Sequence, residues 1–176
     1  SYGGSGTVTV AGVVLRALEN GVSVSGDIAF ASPVTLTVDA APSDVFSISG
    51  VMSGSSGIIK EGKGILLLSG ANAYTDTTTV SAGVLRLGAS NAIPDGSDLI
   101  LAGTLDVGGN SETVAALTGI GTVTNSAVTA GVVSVGAGGA TSAFAGVIED
   151  GVGTVALTKV GGGTFTATDG NNELSL

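Results

Sequence analysis

The chain has 176 residues, 31 of them glycine, with no cysteine, no histidine and a formal net charge of −9. Those counts exclude disulfides, thiolate metal sites and histidine-dependent catalytic triads. The five basic residues, Arg16, Lys60, Lys63, Arg86 and Lys159, are scattered and form no phosphate-binding patch, so nucleic acid is not expected as a partner.

Aromatic residues make up only 3%, so the core must be layered from small aliphatic side chains, and Val, Ile and Thr suit pleated strands. Strands are predicted, in chain order, over 7–10, 13–15, 34–38, 65–68, 77–80, 84–87, 99–101 and 104–107. They continue over 113–117, 122–124, 132–135, 154–157 and 164–167, with Gly, Asn, Asp and Ser between them. Only 13–20 has a pattern compatible with a helical turn or two. The uncharged stretch 113–148 is long enough to cross a bilayer. It is interrupted by Gly119, Gly121, Asn125, Gly131, Gly136, Gly138 and Gly139, so it reads as alternating strands and no membrane span is expected.

Internal repetition separates a solenoid from a sandwich or barrel. "KEGKGILLLSGAN", starting at Lys60, aligns with "KVGGGTFTATDGN", starting at Lys159, so that Lys60, Gly62, Gly64 and Asn72 recur as Lys159, Gly161, Gly163 and Asn171. Upstream, "SGVMSGSSG" from Ser49 resembles "AGVIEDGVG" from Ala145. The first block is followed by "TTVSAGVLRLG" from Thr78. Its echo, "TVTVAGVVLRAL" from Thr7, opens the chain and aligns with one residue deleted before Ala11. The chain therefore begins with the second half of a motif and ends with the first half. Each coil of a solenoid buries its inward side chains only against a neighbouring coil. The expected fold is all-β, one β-solenoid domain over 1–176, with roughly eight coils of about 20–25 residues and a length of about 40 Å.

The segment "IIKEGKGILLLSGANAYTDTTTVSAGVLRLG", from Ile58 to Gly88, resembles the autotransporter-associated β-strand repeat, also called the passenger-associated transport repeat. The resemblance rests on Lys60, Gly62, Gly64, Leu66, Leu68, Gly70, Asn72, Tyr74, Thr75, Thr78, Val80, Ala82, Gly83, Leu85, Leu87 and Gly88. Asp76 stands where the family usually has glycine, and 91–143 is only generically similar. The resemblance implies a right-handed parallel β-helix on a secreted, surface-exposed bacterial protein. Nothing in the chain resembles the family's translocator barrel, which needs many longer strands and aromatic girdles.

Candidate chemistry is sparse. Glu149 with Asp150, and Asp95 with Asp98, are the acidic pairs that an acid–base mechanism would need. Neighbouring strand residues face opposite ways and both pairs sit among turn residues, so solvated turns are expected. Asp169, Asn171 and Glu173 alternate as oxygen donors for a hard cation would, although the glycine-rich calcium nonapeptide is absent. Gly62/Gly64 and Gly161/Gly163 have neither the spacing nor the following helix of a phosphate cradle. Asn72 and Asn171 read as stacked turn asparagines bonding to backbone, and Lys60 and Lys159 as residues of one outer face. No catalytic residue, metal or cofactor is assigned.

Two functions fit. In the first, copies stack head to tail into an extracellular filament, because a bare solenoid end invites pairing and a repeat cut between the termini is completed by a neighbour. Val8, Val10, Val13 and Leu15 of one subunit would meet Phe165, Leu174 and Leu176 of the next. In the second, the chain, which starts at Ser1 without Met, is part of a longer passenger stalk that presents an adhesin or effector at the bacterial surface. An active hydrolase or lyase is a third class for which no site is evident. The expected location is extracellular or the cell surface, and the expected partner is another copy of the chain.

Overall fold

Runs of two to five mostly β-branched and aliphatic residues, separated by short polar or glycine-containing corners, carry the chain through one side of a coil at a time. The computed structural model describes residues 8–10, 14–39 and 41–168. Numbered in chain order, the first face stacks β2 (Val14–Ala17), β5 (Val34–Val38), β8 (Ile58–Glu61), β11 (Thr78–Val80), β13 (Leu99–Leu101), β16 (Leu117–Gly119), β19 (Ser142–Phe144) and β22 (Phe165–Ala167). The second stacks β3 (Val22–Val24), β6 (Val45–Ile48), β9 (Ile65–Leu68), β12 (Val84–Leu87), β14 (Thr104–Asp106), β17 (Thr122–Thr124) and β20 (Val147–Ile148).

The third face comes in two blocks, and each of its strands after β1 follows one of the second face. The first block is β1 (Val8–Val10), β4 (Ile28–Phe30), β7 (Met52–Gly54) and β10 (Ala73–Tyr74). The second is β15 (Ser111–Val114), β18 (Gly131–Val135) and β21 (Val155–Lys159). Every strand pairing among the described residues is parallel. The chain is a parallel β-solenoid. The seven strands of the second face mark about seven turns, and β22 opens another, close to the eight expected. Residues 14–17, in the stretch with helical potential, form a strand of the first face.

Alternation along each strand turns every second side chain inward, and parallel register stacks those side chains in rows. Val22, Phe46, Leu66, Leu85, Leu105, Val123 and Ile148 make one such row on the second face. Leu36, Lys60, Val80, Leu101, Gly119 and Phe144 make another on the first. Burying a Leu, Val or Phe is worth about 1.5–3 kcal/mol, and here each gains that only when coils on both sides cover it. Tyr74 is buried with its hydroxyl 2.7 Å from Thr78 Oγ1 and its ring 6.0 Å from that of Phe30.

Corners need glycine where backbones of successive coils touch. Gly62 (φ 76) and Gly83 (φ 66) stack at one corner, and a Cβ on Gly83 would lie 2.4 Å from the Gly62 carbonyl oxygen. That close approach positions the most unusual side chain of the interior.

Candidate functional site

Lys60 was expected on an outer face, and the structure corrects this: it points inward between Leu36 and Val80 and is 0% exposed. A buried ammonium needs acceptors. Lys60 Nζ donates to the carbonyls of Glu61 (2.8 Å), Gly62 (2.9 Å) and, in the next coil, Ala82 (3.1 Å). Burial lowers its pKa to about 8, with Asp39 and Glu61 pulling the other way. The group ties two corners together rather than facing a substrate.

A second polar chain crosses the third face where it lacks a strand, between β10 and β15. Asn72 Oδ1 accepts from Met52 N (2.8 Å) and its Nδ2 donates to Ala92 O (2.7 Å). From the other side, Glu112 Oε2 accepts from Ala92 N (2.9 Å) and Ile93 N (3.2 Å). Two side chains thus replace the ladder that a strand at 91–93 would have made. Asn72 does bond to backbone as expected, whereas Asn171 lies outside the described residues. Glu112 is 1% exposed, and burial pushes its carboxyl up to about 7, against three amide donors and with Asp95 adding to the rise.

Asp106, in the same coil, takes the opposite course. Burial opposes its charge, but Ser126, Arg86 Nε (2.7 Å) and Gly108 N (3.1 Å) donate to it and hold its pKa below the ordinary value. Lys60, Glu112 and Asp106 are all buried.

The acidic pairs named from the sequence, Glu149 with Asp150 and Asp95 with Asp98, are exposed and lie between strands. Asp150 Oδ1 accepts from Val155 N (2.7 Å), closing the turn after β20. Asp95 and Asp98 stand on the strandless segment between β12 and β13. A shallow groove of about 220 Å³ outside the first face is lined by Pro33, Gly57, Ile59, Asp76, Thr77, Thr79 and Ile100. Its one carboxylate, Asp76, is engaged by Thr77 N at 2.7 Å. No group of three acidic side chains able to hold a metal occurs among the described residues, and the Asp169, Asn171 and Glu173 cluster lies outside them.

The end coils differ from the interior. Among the described residues, β1, β2 and β3 are the outermost strands of their faces at one end, and β20, β21 and β22 at the other. Leu15, Val22 and Val24 at the first end, and Val155, Leu157 and Phe165 at the second, pack on the core yet remain half-buried. Of the interface residues expected, Leu15 and Phe165 stand at opposite ends and Val8 and Val10 lie in β1. Val13, Leu174 and Leu176 lie outside the described residues. Val22, Val24, Val155 and Leu157 were not anticipated, although each sits on an alternating run that assigns it a face. Among the described residues, no further strand pairs with the outer edges of these strands.

Residues 58–87 match the family described as Passenger-associated-transport-repeat. No curated protein and no solved structure matches the chain significantly. The matched residues span β8 to β12, two successive coils that include the Lys60 corner.

Proposed function

We propose that this parallel β-solenoid, which carries a passenger-associated transport repeat at 58–87, is a non-enzymatic structural protein of the bacterial surface or exterior whose copies stack head to tail into a filament. One observation carries the reading: among the described residues, each end has three parallel edge strands, on the same three faces, over half-buried apolar side chains. A strand edge of that kind templates a further strand. Because the two ends are different surfaces, joining them is heterologous and does not close, which yields fibres. Covering one end coil from each partner removes on the order of 1,000 Å² from water, the scale of a specific interface.

The repeat match supports a second reading, in which the coils form a stalk segment within a passenger and lift an adhesin or effector away from the cell. The two part at high concentration. Sedimentation velocity and negative-stain microscopy of the 176-residue chain are expected to show concentration-dependent linear oligomers. A monomer at every concentration favours the stalk and rejects the filament.

A further inference from the structure

The outer surface of the first face has a period of its own. Strand registers align Thr35, Ile59, Thr79, Ile100 and Thr118 in one outward row, and Gly119 opposite Phe144 sets Ala143 next to Thr118. Val14 and Thr166 continue the row at its two ends. Apolar residues and threonines alternate along all eight coils, and none of the eight is charged, in a chain whose net charge is −9. Since strands stack at about 4.8 Å, an apolar side chain recurs about every 9.6 Å along this side of the stack.

The relief is deepest in the middle of the row. Ile100 stands out, 44% exposed, and the groove of about 220 Å³ lies between it and Ile59, with Thr79 between the two. The row therefore carries a knob and, one coil away, a hollow walled by apolar and threonine side chains. A partner that fits must be uncharged and ridged at the same period. A cation finds no acid in the row, and a sugar finds no aromatic ring to stack on. Copies of an acidic chain repel one another least where uncharged surfaces meet.

We propose that the first face pairs with the same face of a second copy about a two-fold axis passing between Thr79 and Ile100, so that each Ile100 enters the other copy's groove over Thr79. The contact is isologous, with knob and hollow both supplied by one surface. The same axis sets Ile59 opposite Thr118 and Thr35 opposite Ala143, apolar against threonine at each step. It reverses the strand direction, which brings Asp98 over Ser81 and Glu61 over Ala116, so the acids beside the row face uncharged residues. A slide of one coil sets Ile100 against Ile59 or against its own copy, ridge on ridge. The row and its margins cover roughly 400 Å² on each copy, which places the pair among weak, transient contacts. Head-to-tail stacking is not required, because this face runs along the side of the stack.

The chain has no cysteine, which makes the test direct. Packed sheets lie about 10 Å apart. Thr35→Cys with Ala143→Cys in the full-length chain, treated with a bismaleimide of that reach, should give a covalent dimer joined at those two positions by peptide mapping. Within one chain the two positions are about 24 Å apart, beyond the linker. Either cysteine alone should give no dimer, because the axis sets equivalent positions equally far apart. Adding Ile100→Glu to the double variant should cut the dimer yield about tenfold or more and leave monomer melting unchanged, as expected for an exposed position. A dimer from either single variant, or one that survives Ile100→Glu, overturns the two-fold pairing. A double variant that stays unlinked at high concentration also overturns it, whereas the linear oligomers of head-to-tail stacking, read by sedimentation, stand or fall separately.

Discussion

Glu112 and Asp106 belong to one coil and titrate in opposite senses, because what surrounds each carboxyl differs. Asp106 gathers donors from Ser126, Arg86 and Gly108, which favour its charge. Glu112 is raised from 4.5 to about 7 because burial outweighs its amide donors. The folded state holds the Glu112 proton more tightly than the unfolded chain, so its contribution is fully present below about pH 4.5 and is lost as pH rises through about 7. That loss is about 3 kcal/mol. Glu112→Gln should therefore flatten the decline in stability between pH 5 and pH 8, read by urea unfolding at each pH. An equally steep decline in the variant rejects the assignment. Lys60→Met should cost about 2 kcal/mol, because the carbonyls of Glu61, Gly62 and Ala82 lose a buried donor. Lys60 recurs in the sequence as Lys159, and the recurrence was legible. Its inward direction was not, because a charged residue on a strand reads as a solvated one until stacked carbonyls are placed around it.

Elements were legible where β-branched and aliphatic residues run together between clear turn signals. β5, β9, β12, β13 and β17 have the bounds predicted from sequence. Short strands such as β3, β4 and β7 escaped, since three residues hold too little alternation to distinguish a strand from a turn. The predicted run 113–117 failed for another reason. It crosses a corner, ending β15 at Val114 and starting β16 at Leu117, and the corner residues Ala115 and Ala116 carry no turn signal. Glycine signals were better guides, because stacking demands them. At Gly54 (φ 141) a Cβ would lie 1.8 Å from the Phe30 carbonyl oxygen, a backbone atom of the preceding coil. Gly54→Ala should destabilise by about 3 kcal/mol or more, whereas Gly96→Ala, whose Cβ meets nothing within 4 Å, should stay within about 0.5 kcal/mol. Equal unfolding midpoints for the two variants would show that the third face relaxes easily at Gly54.

At the scale of the molecule, stability is a sum of nearest-neighbour interfaces, so position along the stack sets how firmly a coil is held. Interior coils are covered twice and bury Leu66, Leu85 and Leu105 completely. Among the described residues the last coils are covered once, and Val155, Leu157 and Phe165 stay half-buried. Backbone amides should follow the same gradient, since local opening is easiest where contacts are fewest. Hydrogen exchange in the dilute chain is expected to be slow in β9 and β12 and faster in β21 and β22. Head-to-tail stacking changes this in one direction only: a second copy on β21 engages the open edge of Val155–Lys159 and turns a once-covered coil into a twice-covered one. Raising the protein concentration should therefore slow exchange in β1 and β21 together, about tenfold or more given the net worth of several backbone hydrogen bonds, while β9 and β12 remain unchanged. Protection gained at β21 without β1 would point to end-to-end pairing of like ends, a closed dimer instead of a fibre. Exchange that is independent of concentration at both strands would leave the solenoid as a stalk whose end coils are not joined by copies of this chain.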